Sequence, residues 1–285
     1  MKFADLHVHT FYSDSTFSPE EVMLYAAERG LNAIAICDHD CLDGIEPCIK
    51  IGTEKGIEII PGIEMTAEKT DVEIHILGYF LDWKLKWLNE RLKEMQDSRI
   101  YRIYKMVDKL KDLNIVVDPM DVLRISGRGA VGRLHLAKAM LNAGKIKNIK
   151  QAFEKYIGFS KPCYVSNVRF SPQEAIEMIL RAGGVPVLAH PSLIGKDDYI
   201  EEFISYGLRG IEVYHTEHKP SVTRHYENMA KHYNLIMTGG SDCHGLGKKR
   251  ILLGEVRVPY ETVEALKAES EKIRGDKKLG YKKDE

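Results

Sequence analysis

Asp5-Leu6-His7-Val8-His9-Thr10 alternates polar and apolar residues with the two-residue period of a β-strand. Successive strand side chains project to opposite faces, so His7 and His9 share one face while Leu6 and Val8 pack on the other. Strand rise sets the roots of the two imidazoles about 7 Å apart, near enough to close on one metal ion. Asp14 follows beyond a serine-containing turn. An H-x-H pair by itself also fits two hydrogen-bonded surface histidines, and the rest of the chain decides between these readings.

Outward from this stretch, strand and helix patterns alternate. Ser18 can cap and Pro19 can open a helix over residues 19–30, with Val22, Leu24, Tyr25 and Ala26 as its apolar positions. Apolar runs of strand length at 31–37, 57–60, 72–77, 185–189, 211–215 and 235–238 bring the expected strands to seven. The pattern changes between them: Leu85, Leu88, Leu92, Met95, Ile100, Ile103, Val107 and Leu110 recur at helical spacing. Further helical pieces follow at 119–125, 133–143 and 149–156 without a strand pattern. The expected organisation is an α/β domain from residues 1–82 and 163–274, an all-helical insertion at 83–162, and a charged, mobile tail at 275–285.

Seven strand–helix units fit either a parallel barrel or an open parallel sheet. Histidines and carboxylates stand in or just after nearly every strand: His7, His9, Asp14, His39, Glu64, His75, His190, Asp242 and His244. A barrel brings such strand ends to one mouth, whereas an open sheet spreads them along a crevice, so the barrel is expected. Nine mixed nitrogen and oxygen donors exceed the needs of one ion and suit two or three. The imidazole–carboxylate mixture favours Zn, Mn or Fe over Mg or Ca, which prefer oxygen alone. Were three dications bound, three ligand carboxylates would leave positive charge, which calls for hydroxide and an anionic substrate such as a phosphate ester. A water shared by two ions loses its proton near neutral pH, so no side-chain nucleophile is needed. Cys37 and Cys243 adjoin candidate ligands, but alternation turns their thiols away.

Composition narrows the remaining classes. The chain is 44% hydrophobic and 29% charged with a net charge of −1, which argues against a general polyanion binder but not against a local cationic site. Five cysteines without a C-x-x-C make no disulfide framework, and reduced cytosol is the expected compartment. No apolar run approaches the ~18 residues of a membrane span, and no obligate protein partner is indicated.

Six ordered motifs resemble those of the PHP (polymerase and histidinol phosphatase) family of metal-dependent phosphoesterases. They are Asp5-Leu6-His7-Val8-His9-Thr10, Asp38-His39-Asp40, Pro61-Gly62-Ile63-Glu64, His75-Ile76-Leu77-Gly78-Tyr79, Ala189-His190-Pro191 and Gly240-Ser241-Asp242-Cys243-His244. The resemblance implies a distorted seven-stranded barrel with a trinuclear site. By it, His7, His9, Glu64 and Asp242 hold the first ion. Glu64 also bridges to a second with His75 and His190, and Asp14, His39 and His244 hold the third. The insertion resembles that of stand-alone family members acting on 3′,5′-bisphosphonucleotides or trimming short RNA from the 5′ end. Their Gly-Arg-Pro-His pattern stands here as Gly132-Arg133-Leu134-His135. Arg99, Arg128, Arg133, His135 and His215 are therefore the expected substrate contacts, on a nucleotide or short-oligonucleotide phosphate ester. Histidinol-phosphate hydrolysis and a non-catalytic metal-binding module are the alternatives.

Overall fold

A computed structural model describes residues 1–70, 72–127, 131–166, 170–247 and 250–280. The chain divides into two compact units, residues 1–89 with 170–285, and residues 90–169.

The first unit is built on strands β1 (Phe3–Val8), β2 (Ala33–Ile36), β3 (Glu58–Lys69), β4 (Val72–Tyr79), β5 (Val185–Leu188), β6 (Gly210–His215), β7 (Ile236–Gly240) and β8 (Val258–Pro259). Their order is β7-β6-β5-β4-β3-β2-β1-β8. A parallel bridge from Val8 to Cys243 joins β1 to the chain just past β7, and the sheet is a nearly closed barrel. Two backbone hydrogen bonds make that seam: Asp242 N–H donates to the His7 carbonyl (2.9 Å) and His9 N–H to the Cys243 carbonyl (3.1 Å).

One strand departs from the expected parallel pattern. β4 runs antiparallel to both β3 and β5. Pro61-Gly62 does not end β3, which continues to Lys69 and leaves a connection far too short for the crossover that parallel strands need. His75 therefore lies toward the start of its strand, not the end. It still reaches the common rim, because the reversed strand pairs it with Thr66, two residues beyond Glu64. β8, a two-residue strand against β1, adds to the seven expected strands.

Alternate residues of the strands supply one apolar cluster: Ala4 and Leu6, Ala33 and Ala35, Leu77 and Tyr79, Val185 and Val187. Val263, Leu266 and Ile273 of the final helix (Glu261–Gly280) join it. The same helix face holds Ser270, whose hydroxyl donates to the Gly183 carbonyl at 2.7 Å. That anchorage carries the helix past Arg274 to Gly280, into the stretch expected to be a tail. Ser18 and Glu21 form a reciprocal capping box and Pro19 opens the helix Pro19–Glu28, as the sequence indicates.

All regular elements among the described residues of the second unit are helices: Lys86–Asp112, most of which lies here, Pro119–Ser126, Arg133–Asn142, and Ile149–Ala152 running into a π-helical turn Phe153–Ile157. Asp118 caps the second of these through Met120 N–H at 2.8 Å. Its core contains Ile103, Met106, Leu110, Val122, Leu136, Met140 and Ile157. Cys163 is part of that core as well, so the chain stays with the helical unit beyond residue 162. Among the described residues no helix is long and apolar enough to cross a membrane.

Candidate metal centre

The rim of the barrel gathers its polar groups around Glu64. This carboxylate is almost wholly buried, and five imidazoles face it. His75 Nδ1 (2.8 Å) and His190 Nε2 (3.0 Å) hydrogen-bond its Oε1. His7 Nε2 (3.2 Å), His9 Nε2 (3.2 Å) and His39 Nδ1 (3.3 Å) lie around its Oε2. Those three nitrogens and Glu64 Oε2 are buried without a hydrogen-bond partner. Buried polar atoms are rarely left so. Lone-pair donors aimed at a common point, without hydrogen-bond geometry, are what a cation requires.

Three overlapping groups have ligand atoms all within 4.8 Å of one another: His7, His9, Glu64 and Asp242; His9, Asp14, His39 and His244; and His39, Glu64 and His75. His9 Nε2 is 3.2 Å from Asp242 Oδ1, and His244 Nε2 is 3.1 Å from Asp14 Oδ1. The His7 and His9 rings, 5.1 Å apart between centroids, share a face as strand alternation requires. All nine residues singled out in the sequence as donors are thus brought together, His190 through Glu64.

Buried acids outside the donor set hold these groups in place. Glu212 on β6 accepts from His7 Nδ1 at 2.9 Å and from the His190 backbone N–H at 2.8 Å. Its bond fixes the His7 proton on Nδ1 and leaves the Nε2 lone pair facing Glu64. Sequence reasoning passed over Glu212; the available signal was an acid inside the apolar strand Ile211-Glu212-Val213. Asp5 accepts from Ser241 N–H (2.9 Å) and Gly254 N–H (2.9 Å), tying β1 to the segment that carries Asp242. Burial pushes Asp5 up to about 6 against those hydrogen bonds. Asp38 accepts from Thr10 N–H (2.7 Å), Thr10 Oγ1 (2.6 Å) and Ser13 Oγ (2.6 Å), clamping the loop between His9 and Asp14. Gly44 leaves room for that clamp, since a Cβ there would stand 2.4 Å from Asp38 Oδ2. His190 (φ 27°) and Asp242 (φ 51°) adopt the left-handed region, a strained conformation for such residues and one common at functional sites.

The electrostatics of the cup favour positive charge. Burial disfavours charge at His9, yet Asp242 and Glu64 push it up to about 10. His75 likewise rises to about 10, against burial, through Glu64 and Glu73. His39 falls to about 4, because burial is only partly offset by Glu64 and Asp14. Burial would raise Asp14, Glu64 and Asp242, but the surrounding imidazoles hold all three well below the usual carboxylate range. The cup thus demands positive charge, which protons or cations can supply. Cys37 and Cys243 are buried, and burial pushes both thiols up, away from thiolate reactivity.

His215, an expected substrate contact, is buried beside the cup with Nε2 3.6 Å from Asp242 Oδ2. Its Nδ1 accepts from Glu217 N–H at 3.2 Å, so the ring proton is on Nε2. Arg99, Arg133 and His135 belong to the helical unit. His135 is buried, and its Nδ1 accepts from Gly132 N–H at 3.1 Å at the start of the helix Arg133–Asn142. The Arg133 guanidinium lies over the rings of Phe153 (5.9 Å) and Tyr164 (5.7 Å). Arg128 lies outside the described residues.

Overlapping imidazole–carboxylate groups at a barrel rim define a class of protein built to hold divalent cations. Known proteins place it further. Residues 5–161 match the PHP domain model. A 5′-3′ exoribonuclease of Haemophilus influenzae is 32% identical over 84% of this chain and 89% of its own. A 3′,5′-nucleoside bisphosphate phosphatase of Chromobacterium violaceum is 30% identical over 86% of this chain and 88% of its own. The structure of a provisionally assigned metal-dependent phosphoesterase from Bifidobacterium adolescentis superposes with a TM-score of 0.81 and 30% identity, covering 93% of this chain and 96% of the other. The chain belongs to the PHP domain family.

Proposed function

We propose that this metal-dependent phosphoesterase hydrolyses phosphate esters of nucleotides, either 3′,5′-bisphosphonucleotides or the 5′ ends of short oligonucleotides. The observation that carries the proposal is Glu64, a buried carboxylate ringed by five imidazoles, three of which (His7, His9 and His39) turn an unpartnered nitrogen toward its equally unpartnered Oε2. His7, His9, Glu64 and Asp242 would hold one divalent cation, Glu64 with His75 and His190 a second, and Asp14, His39 and His244 a third. Zn, Mn and Fe suit such donors. Bound there, the cations supply Lewis acidity toward a phosphoryl group and ready formation of hydroxide from water.

The chain's own groups do the positioning. Glu212 keeps the His7 proton on Nδ1. Asp5 and Asp38 hold the loops that carry Asp242 and Asp14 at the rim. His215, also a proposed substrate contact, is buried with its Nε2–H turned toward Asp242. Arg99, Arg133, His135 and Arg128 are the proposed contacts to further substrate phosphate. The relatives' activities, on nucleotides and RNA, favour this reading over histidinol-phosphate hydrolysis.

The test is release of inorganic phosphate from adenosine 3′,5′-bisphosphate by protein reconstituted with Zn, Mn or Fe. Turnover that disappears in Glu64→Gln supports the proposal. Faster turnover of histidinol phosphate would reverse the substrate assignment. Bound metal without turnover of any ester would make this a non-catalytic module.

A further inference from the structure

The near-neutral balance of the chain conceals a division of charge. Residues 90–169 carry 17 Lys and Arg against 8 Asp and Glu, a net +9, whereas the remainder carries 24 against 34, a net −10. Within the helical unit the excess is concentrated again: from residue 122 to 169, ten basic residues accompany one acid, Glu154. Lys138, Lys145, Lys147, Lys150, Lys155 and Lys161 are all exposed. They do not trail along an extended segment. Residues interspersed with them (Met140, Ile146, Ala152, Ile157 and Cys163) are buried in one core, so the lysines fringe a single folded body. Like charges gathered this way repel one another, and among the described residues Lys150 alone of the six faces an acid, Glu154 at 3.5 Å, in a pair 59–81% exposed that stabilises little.

Flat rings accompany the charge. Phe159 is 48% exposed and meets Tyr164 edge-on at 5.3 Å between centroids. The Arg133 guanidinium lies over the Tyr164 ring. Ammonium groups that neutralise phosphates, interleaved with aromatic faces on which bases stack, are the two ingredients of a single-strand binding surface. We propose that this lysine-rich surface of the helical unit binds the backbone of single-stranded nucleic acid. This rests on the phosphoesterase reading for its purpose, but not for its measurement.

The test is binding of a fluorescent single-stranded RNA of about 12 nucleotides to the full-length, metal-loaded protein across a salt series. A 5′-terminal phosphorothioate linkage slows hydrolysis during the measurement. If all six lysines meet phosphates, log K falls with log[salt] at a slope of about −4. In Lys145→Gln/Lys147→Gln/Lys150→Gln/Lys155→Gln, affinity drops at least about tenfold and the slope flattens to about −1. Phosphate release from adenosine 3′,5′-bisphosphate stays unchanged. Phe159→Ala weakens binding several-fold without altering the slope. Unchanged affinity and slope in the folded quadruple variant overturn the proposal. So does capture by phosphatidylserine vesicles without binding of RNA. If the wild type releases no phosphate from the bisphosphate, the phosphoesterase reading fails on its own, and the salt series still decides this one.

Discussion

Replacing Glu212 by Gln isolates the role of a buried acid that lies outside the proposed donor set. The wild-type carboxylate accepts two hydrogen bonds, from His7 Nδ1 at 2.9 Å and His190 N–H at 2.8 Å. A glutamine has nearly the same shape but only one accepting oxygen. If that oxygen keeps the His190 N–H, the amide NH2 faces His7 Nδ1 and favours the tautomer protonated on Nε2. That proton would stand between His7 and Glu64 Oε2, 3.2 Å away, where a cation is proposed to sit. If the oxygen keeps His7 instead, the His190 N–H loses its acceptor, at a cost of about 1–3 kcal/mol. Partners of this kind are worth about 10–100-fold in metal affinity, or about 1.4–2.7 kcal/mol. The assay is metal titration against a competing chelator, with phosphate release followed at each metal concentration. We expect weaker metal binding and activity that recovers substantially as metal is raised. Metal affinity within about twofold of wild type, in a variant that is folded by circular dichroism, would refute the reasoning.

Metal affinity should also rise with pH. Without cations, His9 and His75 are held up near 10, so a metal must displace protons from them at neutral pH; raising the pH removes that competition. Chelator competition from pH 6 to 9 should show affinity climbing by up to about tenfold per pH unit for each proton displaced, and a flat profile would contradict the protonated cup. Gly44→Ala should force apart the Asp38–Thr10 clamp, since the new Cβ would lie 2.4 Å from Asp38 Oδ2 and 2.8 Å from Thr10 Oγ1. A loss of about 1–3 kcal/mol in thermal or denaturant unfolding is expected, and an unchanged midpoint would show that the loop accommodates a methyl group freely. Arg133→Ala should lower kcat/KM on a doubly phosphorylated nucleotide while sparing a minimal phosphate ester; equal losses on both would place Arg133 at the reacting group.

The candidate donor cluster was legible because each of its residues sits in a short local pattern. Alternation alone puts His7 and His9 on one face, and His39, Glu64, His190 and Asp242 each follow an apolar run or a turn signal. What stayed hidden depends on partners distant in sequence. The direction of β4 was missed because Pro61-Gly62 reads as a strand end, whereas Pro61 pairs with Ile36, the last residue of β2, and β3 continues unbroken. Glu212 looks like any strand acid until His7, 205 residues away, is placed beside it. The left-handed backbone at His190 and Asp242 has no glycine to announce it, since the surrounding hydrogen bonds, not local propensity, impose it. The charge division escaped notice because whole-chain totals cancel.

The β3–β4 hairpin has no slack. Lys69 pairs directly with Val72, and six further rungs bring His75 opposite Thr66 and Leu77 opposite Glu64 before the pair ends at Gly62 and Tyr79. A slip of one rung would swing His75 to the far side of the sheet and remove a neighbour from Glu64. A change of length in this connection is therefore tolerated only where it leaves His75 opposite Thr66. Lineages that lengthen or trim the hairpin should do so by equal numbers of residues on its two strands, whereas loops elsewhere around the rim carry no such restriction.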